Sequence, residues 1–238
     1  MRKLFFVFIL SVFQSVTSNA QTSDLEKELL VWFDTENDVT SSNLINGVEV
    51  VETLLAYKDS HKYYKSPYFV SGSINYLDQN YYNVLMMYNI FEDKVIIKFN
   101  EGKRTSIIQL MDNEVKSFSL LNTHFDRLKF NDNNGFFELI KVYSKFKLYK
   151  KHKKYTVAKT NTGKSTVRHE FVKAKDVFVI EYGTNYSTIE SKNDLYDLFP
   201  NIKREIKNMF NKDKEVQSAW RKKEMENVFK QIENLLPN

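Results

Sequence analysis

Hydrophobic and polar residues alternate along most of the chain, from about Val48 to Ile189. The clearest run comprises Tyr82, Val84, Met86, Tyr88 and Ile90, each separated from the next by one residue. Similar short runs recur roughly every ten residues, and clusters rich in Asn, Asp and Gly, such as Asn131–Gly135, separate them. A period of two places alternate side chains on one face, which indicates consecutive antiparallel strands joined by hairpins.

The two ends of the chain show a helical period instead. Ser23 and Glu26 form a capping-box pattern, and Leu25, Leu29 and Trp32 follow at helical spacing, which predicts a short helix at 24–34. From Ser191 onwards the period is again about 3.6 residues, which predicts two or three helices within 191–235.

The predicted fold is therefore mainly β. We expect an antiparallel meander of about 10–12 strands that forms a curved sheet, a half-barrel or a barrel. The predicted organisation is a β domain with a short N-terminal helix over 21–190. A helical segment over 191–238 docks on this domain or extends from it.

The first twenty residues have the three regions of a secretory signal peptide. Arg2 and Lys3 are basic, Leu4–Phe13 is almost wholly apolar, and Ser18 and Ala20 are small residues before a cleavage point. The apolar run is too short to span a bilayer. We therefore expect cleavage near Ala20 and a periplasmic or secreted protein with no transmembrane segment. The alternative is a buried N-terminal strand or helix.

The amino-acid composition excludes several kinds of site and makes one kind of partner unexpected. The chain has no cysteine, which excludes disulfides, thiolate metal sites and a cysteine nucleophile. Its formal net charge is +5, and loss of Arg2 and Lys3 would leave about +3. That excess is small for a nucleic-acid-binding protein, so nucleic acid is not an expected partner.

Thr160–Thr166 reads TNTGKST and resembles the end of a phosphate-binding loop. The motif needs a glycine five positions before Gly163, where this chain has Ala158. It also needs a helix after the loop, whereas the following residues alternate like a strand. We predict a hairpin turn here and no nucleotide cofactor.

No catalytic or metal-binding motif stands out. The four histidines lack ligand spacing, although His124 and Asp126 could supply two metal ligands. Ser73 lacks the surroundings of a nucleophile elbow. A glycosidase carboxylate pair stays open as an alternative, because such pairs lie far apart in sequence. The available carboxylates are Glu92, Asp93, Glu138, Glu181 and Glu190. The expected set of catalytic, cofactor-binding and metal-binding residues is therefore empty.

Lysines and aromatic residues interleave most densely over Lys141–Lys159. Such a surface can bind an anionic polymer or a lipid head group, so we consider it a candidate patch for an anionic partner. Its members are Lys145, Lys147, Lys150, Lys151, Lys153 and Lys154. Alternatively, these lysines only protect exposed strands against aggregation.

Tyr82, Met86 and Tyr88 are candidates for an apolar pocket inside a curved sheet, as in a carrier of hydrophobic ligands. Ordinary core packing is the competing explanation.

Several short segments together resemble a family of secreted proteins from Bacteroidetes-type bacteria. The segments are Asn46–Gly47, Ser66–Phe69, Gly72–Tyr76, Tyr81–Leu85, Met87–Ile90, Val115–Phe118 and Gly135–Leu139. The resemblance implies a bacterial envelope setting and a non-catalytic role, and it assigns no functional residue.

The sequence thus favours a non-enzymatic envelope protein that binds a protein, a glycan or a lipid. The alternatives are a carrier with a half-barrel cavity and an envelope carbohydrate-active enzyme.

Overall fold

The computed structural model describes Leu44 and residues 46–101, 104–160 and 166–237. The predicted signal peptide, the predicted helix at 24–34 and residues 161–165 of the TNTGKST segment lie outside the described residues.

Thirteen strands are present in the described part of the chain. They are β1 (Gly47–Glu49), β2 (Val70–Tyr76), β3 (Gln79–Asn89), β4 (Lys94–Glu101), β5 (Arg104–Leu110), β6 (Val115–Leu120), β7 (Thr123–Phe130), β8 (Asn133–Val142), β9 (Phe146–Lys151), β10 (Lys154–Thr160), β11 (Val167–Lys173), β12 (Val177–Tyr182) and β13 (Asn185–Ile189).

Eleven of these strands form one sheet, in the order β1-β5-β4-β3-β2-β6-β7-β8-β9-β12-β13, and β10 and β11 form a separate pair. All of the strand pairings are antiparallel. The predicted mainly-β antiparallel fold is therefore confirmed. The order departs from a simple meander at three places: β1 pairs with β5, β6 returns to lie beside β2, and the β10–β11 pair is inserted between β9 and β12.

The sheet curls strongly without closing. In a flat sheet, β3 and β8 would lie roughly 19 Å apart, because three strands stand between them. Instead, the ring of Tyr88 on β3 lies 5.9 Å from the ring of Phe136 on β8. The short connection Met111–Glu114 between β5 and β6 also requires the curl, since β4, β3 and β2 lie between these strands.

The inside of the curl is filled by aromatic side chains. Tyr88 is 1% exposed, and its ring contacts those of Phe118 and Phe125 at 5.1 Å each. Tyr64, from the segment before β2, closes over this cluster and packs edge-on against Phe125 at 5.1 Å. The inner face is therefore a solid core.

Four helices follow the sheet in the described residues. They are α1 (Lys192–Leu198), α2 (Lys203–Lys212), α3 (Lys214–Lys222) and α4 (Met225–Leu235). Ser191 caps α1 with a full capping box, as the Ser191-x-x-Asp194 pattern requires. No helix in the described ranges is long and apolar enough to cross a bilayer.

These helices pack on the far end of the sheet. Their buried residues, such as Ile206 and Phe229, form one apolar cluster with Phe146 and Leu148 of β9 and Ile180 of β12. The Tyr143 hydroxyl fixes the contact by donating to the backbone oxygen of Glu226 at 2.9 Å. The helical segment is thus docked on the sheet.

Candidate functional site

A basic cavity of about 340 Å³ opens where the two-stranded sheet meets the large sheet. Four separate stretches of chain supply its lining: the segment before β2, the end of β3, strands β8 and β9 with the linker that follows, and the end of β11. The lining residues are Tyr64, Lys65, Ile90, Glu138, Lys150, His152, Lys153 and Lys173.

The lining carries an excess of positive charge. It contains four lysines but one carboxylate, Glu138. Lys150 pairs with Glu138 at 3.1 Å, and Lys173 pairs with Asp176 at 3.0 Å. Within the described ranges, Lys65 and Lys153 have no carboxylate at ion-pair distance. Two cationic groups are therefore available to an incoming anion.

Tyr64, Ile90 and His152 are the buried members of the cavity lining. His152 is 9% exposed and hydrogen-bonds through Nε2 to Glu138. Its ring packs edge-on against Tyr64, with the centroids 4.9 Å apart. Tyr64 in turn contacts Thr123 through its hydroxyl at 3.2 Å, and Lys65 donates to the same Thr123 oxygen at 3.3 Å. These contacts hold the polar groups before any ligand arrives.

Glu138 stays anionic in this setting. Burial alone would raise its pKa, but the hydrogen bond from His152 and the charge of Lys150 outweigh that effect and hold the pKa below its usual value. The cavity thus offers an acceptor, Glu138, beside several ammonium donors.

The lysines of the predicted patch lie on different faces of the sheet. Successive residues of β9 point to opposite faces, so Lys150 faces the cavity while Lys147 and Lys151 lie on the other face. Lys147 pairs there with Glu181 at 3.1 Å, and Lys151 is 6% exposed and pairs with Asp93 at 2.5 Å. Of the predicted residues, only Lys150 and Lys153 line the cavity.

The other two predicted lysines lie elsewhere. Lys154 donates to the backbone oxygens of His61 and Tyr63, the latter at 3.2 Å, and burial lowers its pKa. Lys145 is exposed just before β9 and has no ion-pair partner in the described part of the chain. The six lysines therefore do not form one continuous surface.

The three residues predicted to line an apolar pocket do not share one face of the sheet. Met86 and Tyr88 are buried in the core, 0% and 1% exposed, with aromatic rings packed around Tyr88. Tyr82 departs from this face because a β-bulge interrupts β3, where Gly72 pairs with Val84 but Ile74 pairs with Tyr81. The extra residue shifts the alternation by one position.

The candidate metal ligands do not converge. His124 Nε2 hydrogen-bonds to Asp126 at 3.0 Å, but in the described ranges no three His, Asp or Glu side chains are grouped to hold an ion. Among the candidate carboxylates, Glu181 approaches Asp126 through the Tyr149 hydroxyl, which lies 3.1 Å from Glu181 and 3.3 Å from Asp126. Protein donors already engage both carboxylates.

The chain matches no protein-family model, no curated protein and no solved structure.

Lys65, His152 and Lys173 of the cavity were not predicted as site residues, and Glu138 was predicted only as one of five candidate carboxylates. Lys65 and Lys173 are single lysines within different segments. No local pattern connects them with Lys150, because the curl and the insertion of the β10–β11 pair bring them together. Only His152 carried a signal, since it interrupts the lysine run that supplies Lys150 and Lys153.

Proposed function

We propose that this protein is a binding protein of the bacterial envelope, and that its basic cavity recognises an acidic sugar of an envelope glycan. The observation that carries the proposal is a pair of cavity lysines, Lys65 and Lys153, for which the described part of the chain supplies no carboxylate partner. Lysine ammonium groups can only donate hydrogen bonds, and charge-assisted bonds to carboxylate or phosphate are among the strongest that proteins make.

The anionic Glu138 favours a sugar over a simple anion. A carboxylate on the floor repels a bare phosphate, but it accepts hydrogen bonds from hydroxyl groups. A sugar ring that carries one carboxylate or phosphate can bind both the lysines and the carboxylate of the lining. Its acidic group contacts Lys65 and Lys153, and a hydroxyl donates to Glu138. The volume of about 340 Å³ admits one to two sugar rings rather than a lipid chain.

A location outside the cytoplasm, where acidic glycans are exposed, is supported by the signal-peptide pattern at Met1–Ala20. The carrier alternative loses support because rings fill the space beside Tyr88.

Calorimetric titration tests the proposal. Short oligomers of galacturonate and a sugar phosphate should bind with an affinity that falls as salt is raised. Methyl-esterified galacturonate oligomers, which keep the hydroxyls but lose the charge, should bind far more weakly. Lys65→Gln combined with Lys153→Gln should weaken binding about tenfold or more.

A matched control removes the same charge elsewhere. Lys129 and Lys145 are exposed and lie outside the cavity lining, so Lys129→Gln with Lys145→Gln should leave the affinity nearly unchanged. Equal losses in the two double variants would show that only net charge matters. Failure of both acidic probes to bind the folded protein would contradict the proposal.

A further inference from the structure

A grid of small polar side chains covers one face of the sheet where β2, β6 and β7 lie side by side. Ser73 pairs with Ser119, and Ser119 pairs with His124 in the next strand. One row further along, Asn75 pairs with Ser117, and Ser117 pairs with Asp126. Residues two apart in a strand share a face, so all six side chains stand on the same surface.

Three of these side chains form a hydrogen-bonded chain. The Ser119 hydroxyl lies 2.9 Å from His124 Nδ1, and His124 Nε2 lies 3.0 Å from Asp126 Oδ1. Because the carboxylate can only accept, Nε2 carries a hydrogen, and Nδ1 of the neutral ring is then an acceptor for the Ser119 hydroxyl. Asp126 is itself held by the Tyr149 hydroxyl at 3.3 Å. This is the order nucleophile, base and orienting carboxylate.

Two cavities meet at Ser119. The smaller, about 150 Å³, is lined by Asn75, Ser119 and His124 among others. The larger, about 510 Å³, runs along Ser71, Tyr82 and Asn122, and it also includes Ser119. An ester bound at Ser119 can place a small acyl group in the smaller cavity and its alcohol part in the larger cavity.

A donor for the developing oxyanion stands beside the serine. Asn75 lies diagonally across the β2–β6 pair from Ser119, and both residues line the smaller cavity. Its Nδ2 donates one hydrogen to Asn80 Oδ1 at 2.7 Å, which leaves the second hydrogen for a substrate oxygen. Side-chain amides serve this role in acyl transfer.

We propose that Ser119, His124 and Asn75 form an esterase site that removes a small acyl group, such as acetyl, from a polyhydroxylated alcohol. Ser119 Oγ bonds to the acyl carbon while its proton passes to His124 Nδ1. The ester C–O bond then breaks, and the alcohol leaves with that proton. Water attacks the acyl-serine, gives its proton to His124, and releases the carboxylic acid as Ser119 regains its hydrogen. Asp126 is a positioning residue that holds the imidazole.

The direct test is labelling of the wild-type chain with a fluorophosphonate probe, followed by peptide mapping. We expect one phosphonylated residue, Ser119. A known serine esterase labelled in parallel verifies the probe. Absence of an adduct at Ser119 in the folded chain, or labelling of another serine instead, would overturn the proposal. This readout does not depend on any variant that fails to fold.

Hydrolysis of p-nitrophenyl acetate gives the second readout. Ser119→Ala and His124→Gln should each lower the rate about a hundredfold or more. Ser106→Ala removes a half-buried serine from β5 and should leave the rate unchanged. Asp126→Asn should lower the rate and shift its pH dependence, because Asp126 is the group that faces His124, with Tyr149 and Glu181 behind it. A rate equal to wild type in Ser119→Ala would reject the assignment.

Discussion

Asp93 and Lys151, which are far apart along the chain, form a partly buried ion pair with 2.5 Å between Asp93 Oδ2 and Lys151 Nζ. Asp93 belongs to the turn between β3 and β4, and Lys151 ends β9. The Tyr88 hydroxyl also donates to Asp93 at 2.5 Å. The ion pair therefore connects the β3–β4 turn to the end of β9 across the curl of the sheet.

Removing one partner of this pair should destabilise the protein. Asp93→Asn leaves the Lys151 ammonium, 7% exposed at its side chain, without its counter-charge, and the expected loss is about 3 kcal/mol. Urea unfolding measures it. The double variant Asp93→Asn with Lys151→Met should recover much of the loss, because it removes the buried charge as well. A double variant no more stable than Asp93→Asn would contradict this account.

Gly135 is required beside that pair. Its φ is +134°, and a Cβ atom there would collide with the Asp93 carboxylate and the Lys151 ammonium group. Gly135→Ala should therefore cost about 2 kcal/mol or more in unfolding free energy. Gly183, with a φ of +62° but open space around it, provides the comparison: Gly183→Ala meets backbone strain without the collision. Urea unfolding of the two variants should rank Gly135→Ala as the less stable.

Glu138 should make part of the stability depend on acid pH. Its folded pKa lies below the ordinary value of 4.5, so its contribution is present above that pH and is lost as pH falls through the folded pKa. The stability difference between wild type and Glu138→Gln should be full at pH 7 and shrink below about pH 4.5. Urea midpoints at several pH values check this. A constant difference down to the acid range would show that the charge of Glu138 is not the stabilising feature.

His124 should titrate above its ordinary value. Its hydrogen bond to Asp126 raises the pKa above 6.5, and partial burial only partly opposes this. Because the pKa is higher in the folded chain than in the unfolded chain, protonated His124 stabilises the folded state. This stabilisation is fully present below pH 6.5 and is lost as the pH rises through the folded pKa. Imidazole signals in an NMR pH titration report the value. Asp126→Asn should lower it, and an unchanged value would exclude Asp126 as the cause.

The period-two pattern was enough to predict the strands, because each strand buries one face against the core or the helices. The pattern failed at Asn83, where φ is +56°. A bulge there puts the side chains before and after it out of alternation with each other. A left-handed asparagine inside an alternating run gives only a weak warning of such a bulge. Tyr82 was therefore placed on the wrong side of the sheet.

The proximity of Ser119 and His124 could have been anticipated from the sequence. They flank a two-residue turn, Leu121–Asn122, in which both residues have positive φ, and any such hairpin sets residues i and i+5 opposite each other. The basic cavity had no comparable local signal. Its members approach one another only through the return of β6 beside β2 and the docking of β10 and β11, which are long-range features.

The position of the basic cavity couples two parts of the molecule. Glu138 and Lys150 stand on the large sheet, whereas Lys153 and Lys173 stand at the base of the β10–β11 pair. An acidic sugar bound between them would contact both sheets at once. Binding would then stabilise the contact between the large sheet and the β10–β11 pair, and amide hydrogens along β10 and β11 would exchange more slowly when the sugar is bound.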